Sequence, residues 1–369
     1  MHVKNVLQQD DQSKYFTLGI IADESGRGEK KIFLICLMFW NSTNNTPNII
    51  LLETKDLLRC NSDTITQALI DTCTNYNIDT KKCLTFLSDN TNYMSGRVGG
   101  NVVKFNRLTQ SNCTRIPCGL HVLHLIFNAF EEKAFGNLLT NIGFSKTRCP
   151  FNLLHLAWML HNGYNQSDKN SPLNMKSEII QNLYKTRFNY QLNKYQQPLR
   201  SRWQYELITA EQYLERHEIH LKFVTWFLPK LKNLKKVPIA YIQKWELFQD
   251  WLNDIELNIE IQCLVKFGQE IYYPFTEFLV GYDPQLRIMQ TDNLLQHLPS
   301  GYRAHQMPDF IINSTFQLTN ILKNLYSFFG PELLQCTEIM NDLEIESFIQ
   351  KLELVMQKGL ELHQKWFNS

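Results

Sequence analysis

Two aspartates that each follow an apolar run are the residues whose type and position could do chemistry. Asp23 follows the run YFTLGIIA, and Asp89 follows CLTFLS. Phosphoryl transfer with two divalent cations needs carboxylates from several elements, converging on ions about 3.5–4 Å apart. An aspartate after a strand also commonly caps a turn, so each residue alone has a purely structural explanation. The pair becomes a candidate site only if the fold brings the two residues together.

The string PCGLHVLHL, at residues 117–125, also carries reactive side chains. Cys118, His121 and His124 lie at i, i+3 and i+6, so a helix would spread them over one broad face. A zinc site that includes Cys113 would read C-x4-C-x2-H-x2-H, but it lacks the usual 12-residue spacer of a zinc finger, and we do not expect zinc. A cysteine nucleophile with a histidine base has no evident orienting group. A core thiol with two hydrogen-bonded histidines is the remaining interpretation.

The elements that must position these residues begin with three predicted strands. Tyr15–Ala22, Lys31–Trp40 and Asn48–Glu53 are rich in β-branched and aromatic residues. Short connections favour an antiparallel meander. We expect the first strand to stop at Asp23-Glu24-Ser25.

The hydrophobic period then alternates between helix and strand. We predict a helix with Ser62 as its N-cap, a strand at Cys83–Leu87, a helix at Tyr93–Phe105, a strand at Cys113–Ile116 and a helix from Pro117. The order βββαβαβα is that of a ribonuclease H-like fold. The crossover rule is compatible with the fourth strand lying parallel beside the first, which would place Asp23 and Asp89 at one sheet edge.

Helical periodicity dominates the rest of the chain. The strongest predicted helices are punctuated by prolines such as Pro229 and Pro274, and we expect no further strand after about residue 131. These helices cover residues 176–192, 204–225, 242–267, 310–329 and 343–366. The sequence therefore predicts an α/β domain at 1–130 and an all-α region at 131–369.

Composition excludes several classes of protein. With 37 Lys and Arg against 36 Asp and Glu, the net charge of +1 rules out a uniformly basic coat for nucleic acid, although a local basic patch is allowed. The longest apolar run, Ile32–Trp40, is about half of what a membrane helix needs, so we expect no membrane partner. Nine cysteines and a polar N-terminus favour reduced thiols in the cytosol or nucleus.

Short motifs in this chain resemble those of hAT-type transposases, in the same order and over roughly residues 15–210. Asp23 in IADES resembles the aspartate that ends the family's first strand, and Asp89-Asn90 with Met94 matches its D-N/S-x-x-x-M pattern. The remaining matches are Cys118, His121, Leu123 and Leu125 to a C-x-x-H-x-L-x-L motif, and Arg202-Trp203 to an R-W motif.

The resemblance implies a ribonuclease H-like catalytic domain interrupted by a large helical insertion. It implies that Asp23 and Asp89 are catalytic residues that bind Mg or Mn, and that His121 lies near the metals or the scissile phosphate. Cys118 would be the first residue of the motif that opens the next helix.

The resemblance also implies a DNA-binding role for Trp203, which would stack on a base. Arg200, Arg202 and Lys194 surround it in sequence and would form a basic patch. A buried helix anchor is the alternative for Trp203. A second basic cluster, PKLKNLKK at residues 229–236, is a weak nuclear-import candidate, and a solvated helix face is its alternative.

The chain departs from the family pattern at both ends. The family's third acidic residue lies in a segment of the S-E-R-x-F-S kind, whereas the nearest string here, Asn313-Ser314-Thr315-Phe316, has no glutamate. Glu270 and Glu277 belong by position to the insertion. The family's N-terminal zinc-finger module is also not in the sequence, so we expect a truncated, transposase-derived protein.

Two functions follow as expectations. The first is a nuclear, DNA-associated protein with an incomplete metal-dependent nuclease or strand-transfer site, which leaves open whether the chain is an enzyme. The second is a non-catalytic module that keeps the fold to bind protein or DNA. The helices after residue 240 could then serve a homo-oligomer interface. A fragment without selected function is a third alternative.

Overall fold

The protein was analysed as a computed structural model, which divides into two compact units, Met1–Val122 and Leu123–Ser369. The first unit contains a mixed β-sheet, and the second is largely helical. The structure describes residues 18–27, 30–41, 46–89, 91–119, 121–125, 127–128, 146–162, 177–199, 203–235, 237–280, 282–283, 288–289, 307–330 and 341–367.

Five strands form the sheet of the first unit, in the order β3-β2-β1-β4-β5. The pairs β1–β2 and β2–β3 are antiparallel, and the pairs β1–β4 and β4–β5 are parallel. The strands are β1 Leu18–Arg27, β2 Lys30–Asn41, β3 Thr46–Leu57, β4 Cys83–Ser88 and β5 Thr114–Pro117. A three-stranded meander followed by two parallel strands is the arrangement that the sequence predicts.

The first strand is longer than predicted. It continues through Asp23, Glu24 and Ser25, because β2 pairs with it as far as Arg27↔Lys30. Its pairing with β4 ends earlier, at Ala22↔Ser88. The predicted stop at Asp23 is therefore wrong for β1 itself, but it marks the end of the parallel pairing.

The helices of the first unit differ from prediction at their ends. They are α1 Ser62–Asn75, α2 Asn92–Ser95 and α3 Asn101–Thr109. The N-cap of α1 is Asn61, not Ser62: Asn61 Oδ1 accepts from the backbone N–H of Thr64 at 2.9 Å, and Thr64 Oγ1 accepts from the N–H of Asn61 at 3.1 Å. This reciprocal pair is a capping box, which satisfies two backbone donors at once.

The predicted helix at 93–105 is broken in two. A Cβ on Gly100 would lie 2.5 Å from the backbone nitrogen of Gly96, so the chain at the break packs too closely for a side chain. Pro117 ends β5 rather than starting a helix, and residues 121–125 are helical.

One face of the sheet forms the core of the first unit against α1 and α3. Residues from sheet and helices are fully buried there, and each such side chain contributes roughly 1.5–3 kcal/mol of transfer free energy. They include Ile20, Phe33, Phe86, Ile65, Leu69 and Phe105. The opposite face leaves Leu34, Ile49 and Leu51 exposed.

The second unit consists mainly of helices, none of which, among the described residues, is long and apolar enough to cross a membrane. A short hairpin, β6 Tyr282–Asp283 with β7 Ile288–Met289, shows that the expected absence of strands after residue 131 is wrong. The helices are α4 Pro150–Asn162, α5 Ser177–Phe188, α6 Trp203–Asn233, α7 Ile239–Leu252, α8 Ile255–Phe267, α9 Tyr273–Val280, α10 Met307–Lys323, α11 Leu325–Phe328 and α12 Asp342–Phe367, with a π-helical turn at Gly268–Tyr272.

Two helix boundaries of this unit depart from the sequence pattern. Pro229 lies inside α6 rather than ending it, although proline lacks the N–H that the preceding turn would accept. The predicted helix at 242–267 is two helices, because Asp254 caps α8 by accepting from the N–H of Leu257 at 2.9 Å.

The last helix, α12, packs within the second unit. Its residues Phe348, Leu352, Met356 and Leu360 are buried in the same core as Leu318 of α10. Lys351 Nζ lies 3.3 Å from Glu260 Oε1, and the carboxyl of Glu260 is buried. The apolar stripe of α12 is therefore used inside the chain.

A hydrogen-bonded chain of four buried side chains crosses the core of the second unit. Tyr195 Oη lies 2.5 Å from His220 Nε2, and Tyr184 Oη lies 2.6 Å from His220 Nδ1 and 3.0 Å from His161 Nε2. His161 Nδ1 lies 2.7 Å from the carbonyl oxygen of Ala157. Burial lowers the pKa of both histidines, that of His161 to about 4, so both rings are neutral at pH 7.

The direction of this chain follows from counting donors. The carbonyl of Ala157 can only accept, so His161 Nδ1 donates to it and Nε2 accepts from the hydroxyl of Tyr184. Tyr184 must then accept from His220 Nδ1, and His220 Nε2 accepts from the hydroxyl of Tyr195. Tyr184 therefore satisfies two ring nitrogens, whereas Tyr195 satisfies one.

Replacing the two tyrosines should have unequal costs. An orphaned buried donor or acceptor costs about 1–3 kcal/mol, so Tyr184→Phe should lower the free energy of unfolding by about 2–6 kcal/mol and Tyr195→Phe by about 1–3 kcal/mol. Urea unfolding of the two variants and the wild type measures both changes. An equal or larger loss for Tyr195→Phe would contradict the arrangement in which Tyr184 satisfies two ring nitrogens and Tyr195 only one.

Candidate active site

The end of the parallel pairing between β1 and β4 places Asp23 and Asp89 side by side. The last parallel pair is Ala22↔Ser88, so the two aspartates are the next residues of neighbouring strands, which lie roughly 4.8 Å apart. Asp23 is exposed. Strand alternation directs it to the face opposite Glu24. Both aspartates therefore occupy the carboxyl edge of the parallel part of the sheet, where open α/β sheets carry their sites.

The carboxylate of Asp89 is oriented by the next turn. Its Oδ1 accepts from the backbone N–H of Thr91 at 3.2 Å and from the Thr91 hydroxyl at 2.8 Å. Such a turn fixes the side chain against its own backbone. All its hydrogen bonds within the described part of the chain go to Oδ1, which leaves Oδ2 for a cation.

Arg115 of β5 joins this edge. Its Nη2 donates to the carbonyl of Asp89 at 2.6 Å, and its Nε lies 3.4 Å from Ser88 Oγ. Burial lowers the pKa of Arg115, and the carboxylate of Asp89 opposes that change. Arg115 therefore holds the end of β4 and brings a partly desolvated positive charge beside the aspartate, a combination suited to an anionic phosphate.

Glu24 is a half-buried acidic residue next to this edge. Lys31 Nζ lies 2.7 Å from Glu24 Oε1, and the hydroxyl of Tyr93 donates to Glu24 Oε2. Burial alone would raise the pKa of Glu24, but the hydrogen bonds from Lys31 and Tyr93 outweigh it and the pKa is lowered. Burial raises the pKa of Tyr93, and the charges of Glu24 and Asp89 add to that rise, so the phenol stays protonated near both carboxylates.

Cys118 and His121 follow the edge directly. The N–H of Cys118 donates to the carbonyl of Ser88 at 2.9 Å, and the carbonyl of Cys118 accepts from the N–H of Val122 at 3.0 Å. Both side chains are half-buried. The backbone thus begins its helical turn beside the end of β4, which places His121 one turn beyond it.

Cys113 and His124, from the alternative cysteine–histidine interpretations, each contact other residues. Cys113 Sγ donates to the carbonyl of Cys83 at 2.8 Å inside the core of the first unit. His124 Nδ1 lies 3.3 Å from Tyr272 Oη in the second unit. Within the described ranges, no three His, Cys, Asp or Glu side chains are placed to hold one metal ion.

The predicted DNA-binding residues are only partly described. Arg200 and Arg202 lie outside the described residues, as does the side chain of Trp203, whose backbone begins α6. Lys194 is exposed in the segment before that helix. Their mutual geometry therefore stays a prediction.

The sequence candidates for a third acidic residue contact other residues of the second unit. Glu270 Oε1 lies 3.0 Å from Lys266 Nζ on the surface of the second unit. The string at residues 313–316 lies within α10, where Ser314 Oγ is 2.7 Å from His363 Nε2.

The donor set at the edge fits a hard divalent cation. Two carboxylates from adjacent strands supply oxygen ligands, and Mg²⁺ commonly takes one or two carboxylates and completes its octahedron with water and phosphate oxygens. This chain's own residues would orient the carboxylates through Thr91 and Arg115. Two carboxylates suffice for one ion, whereas a two-ion clamp requires further ligands.

Sequence reasoning missed Glu24 and Arg115. The composition of Asp23-Glu24-Ser25 predicts a turn at Glu24. Only the β1–β2 register shows that Glu24 stays in the strand, opposite Phe33. Arg115 sits in a short strand whose partner, Phe86, is far away in sequence. A single charged residue inside a strand at a sheet edge is the signal that could have singled out Arg115.

Removing the charge of Glu24 should cost stability in a pH-dependent way. A lowered pKa means that the ionised form stabilises the fold above the unfolded value of 4.5, and that this contribution is lost as the pH falls through the folded pKa. Glu24→Gln should lower the free energy of unfolding by about 1.5–3 kcal/mol at pH 7, the value of a hydrogen bond to a charged group. The difference from wild type should shrink well below pH 4.5.

Chemical denaturation at several pH values measures this change, with Asp71→Asn on the exposed face of α1 as the control. A cost for Glu24→Gln that stays constant across the pH range would show that the ion pair is not its source.

The functional interpretation of this edge rests on its own geometry. No family model matches the chain, and no curated protein matches it. The parallel pairing of β1 with β4, and the side chains at its end, are the observations from which a function must be argued.

Proposed function

We propose that this chain is a hAT-transposase-derived, DNA-associated protein of the nucleus, with a ribonuclease H-like domain whose sheet edge binds Mg²⁺ or Mn²⁺. The observation that carries the proposal is the parallel register Ala22↔Ser88, which sets Asp23 and Asp89 next to each other. The strand order β3-β2-β1-β4-β5 supports the ribonuclease H-like assignment. The motif matches at Asp89, Cys118 and His121 support the family.

The proposed chemistry is cleavage or transfer of a DNA phosphodiester. A divalent cation supplies charge neutralisation at the phosphate when bound. Asp23 and Asp89 hold that cation, and Thr91 keeps the carboxylate of Asp89 in one orientation. Arg115 and His121 are the groups on this edge suited to contact the phosphate oxygens. Trp203 is proposed to stack on a base, with Lys194, Arg200 and Arg202 on the backbone.

A second function, DNA binding without catalysis, is favoured by one observation. Among the described residues, no third acidic side chain joins Asp23 and Asp89. A single ion held by two carboxylates stabilises the attacking and leaving oxygens less completely than two ions do. A homo-oligomer belongs to this alternative, although α12 already buries its apolar stripe in the chain.

Nicking of supercoiled DNA tests the catalytic proposal. Wild-type protein should nick with Mg²⁺ or Mn²⁺ and not with chelator. Asp23→Asn and Asp89→Asn should each reduce nicking and metal affinity by more than the roughly 10–100-fold that even outer-shell ligand changes cost. Calorimetric titration of the metal alone gives the affinity.

Asp71→Asn, on the exposed surface of the same unit, is the matched control and should behave as wild type. Nicking that survives in both edge variants would refute the site. If the wild type binds metal and DNA but does not nick, the catalytic proposal is refuted and DNA binding without catalysis remains.

A further inference from the structure

A second basic surface lies on the second unit. It consists of Arg187 in the last turn of α5 and Lys222, Trp226 and Lys230 of α6, which we call the α5–α6 patch. The three α6 residues recur at i, i+4 and i+8, so they form one stripe about 12 Å long on the helix surface. The three cations are exposed, and Trp226 is half-buried.

Two of the three cations of this patch, Arg187 and Lys230, lie over an aromatic ring rather than beside a carboxylate. The guanidinium carbon of Arg187 lies 5.8 Å from the ring centroid of Trp226, and Lys230 Nζ lies 5.3 Å from the same centroid. Within the described chain, neither cation has an ion-pair partner. A tryptophan face attracts cations through its quadrupole without cancelling their charge. The ring therefore gathers two positive charges that repel each other and remain available to an anion.

Other lysines of the second unit, unlike Arg187 and Lys230, have carboxylate partners. Lys232 Nζ, two residues beyond Lys230, lies 2.7 Å from Glu246 Oε1. Lys266 also lies over a ring, that of Phe328, but its Nζ is 3.0 Å from Glu270 Oε1. Lys222 has only a loose pair, 3.8 Å from Glu218, with both side chains mostly exposed, and such pairs contribute little. Arg187 and Lys230 thus differ from Lys232 and Lys266, whose charges lie beside carboxylates.

We propose that the α5–α6 patch binds the phosphodiester backbone of DNA. Phosphates repeat along a strand at short intervals, and the stripe is about 12 Å long, with the unpaired Lys230 at one end and the loosely paired Lys222 at the other, so it spans several of them. Arg187 offers a planar fork for one phosphate, Lys230 a compact charge for a neighbouring one, and Lys222 extends the track. The inference deepens the proposed DNA association and rests on it, but it does not depend on catalysis at Asp23 and Asp89.

The test measures DNA affinity as a function of salt. Fluorescence anisotropy with labelled short oligonucleotides, single-stranded and duplex, gives the dissociation constant between about 50 and 200 mM salt. In the double variant Arg187→Gln/Lys230→Gln, the loss of two phosphate contacts should reduce the slope of log affinity against log salt by about 1.4 for single strands and 1.8 for duplex.

The control removes the same charge elsewhere. Lys81→Gln/Lys323→Gln takes two exposed lysines from other surfaces and should leave the slope unchanged. Trp226→Phe keeps a ring and should retain more affinity than Trp226→Leu, with circular dichroism to check folding, since Trp226 also packs against the core.

Two outcomes overturn the proposal. The first is an Arg187→Gln/Lys230→Gln variant that matches the control in affinity and slope. The second is displacement of DNA from the patch by polyglutamate as effectively as by unlabelled DNA, which would indicate a site for acidic peptides. The variant Asp89→Asn separates this proposal from the catalytic one. If Asp89→Asn no longer nicks DNA but keeps the DNA affinity and salt slope of the wild type, both proposals are supported. If the wild type binds DNA through the patch but never nicks it, only catalysis is refuted.

Discussion

The parallel pairing of β1 with β4 is the constraint on which the rest of the first unit depends. Parallel strands cannot be joined by a tight turn, so the chain must cross over, and α1 is the crossover. The capping box at Asn61 starts that helix, and its apolar side packs on the sheet. The same pairing brings Ser88 level with Ala22. The register of β1 and β4 thus aligns the buried residues on one face of the sheet, and it brings Asp23 and Asp89 together where the pairing ends.

The sequence allowed the strands and their order to be predicted because their composition is strongly β-branched and aromatic and their connections are short. It failed where a distant partner overrides local preference. Asp23-Glu24-Ser25 has turn composition, but hydrogen bonds to β2 keep it extended. Pro229 lacks a backbone N–H and would be expected to break a helix, yet α6 continues through it because neighbouring residues of the helix are packed in the core. Asn253 and Asp254 end one helix and cap the next, a break that apolar periodicity does not register.

The candidate site was predictable in its acidic residues and not in their surroundings. Strand order and crossover handedness are enough to place Asp23 and Asp89 at one edge. The roles of Glu24 and Arg115 depend on the face of the sheet to which each side chain points and on the residue opposite it on the neighbouring strand. A one-residue change of register would move each side chain to the other face. The patch around Trp226 depends on how α5 packs beside α6, which periodicity along either helix does not contain.

The distribution of thiols offers a practical handle on the sheet edge. Within the described segments, no cysteine forms a disulfide bond. Burial raises the pKa of Cys73 to about 12 and that of Cys60 to about 11, so these thiols ionise too rarely to react quickly. Cys118 is half-exposed and hydrogen-bonded through its backbone to the residue before Asp89. An alkylating fluorophore or spin label on Cys118 would therefore lie beside the residues that precede Asp89, and its spectrum would report occupancy of the edge.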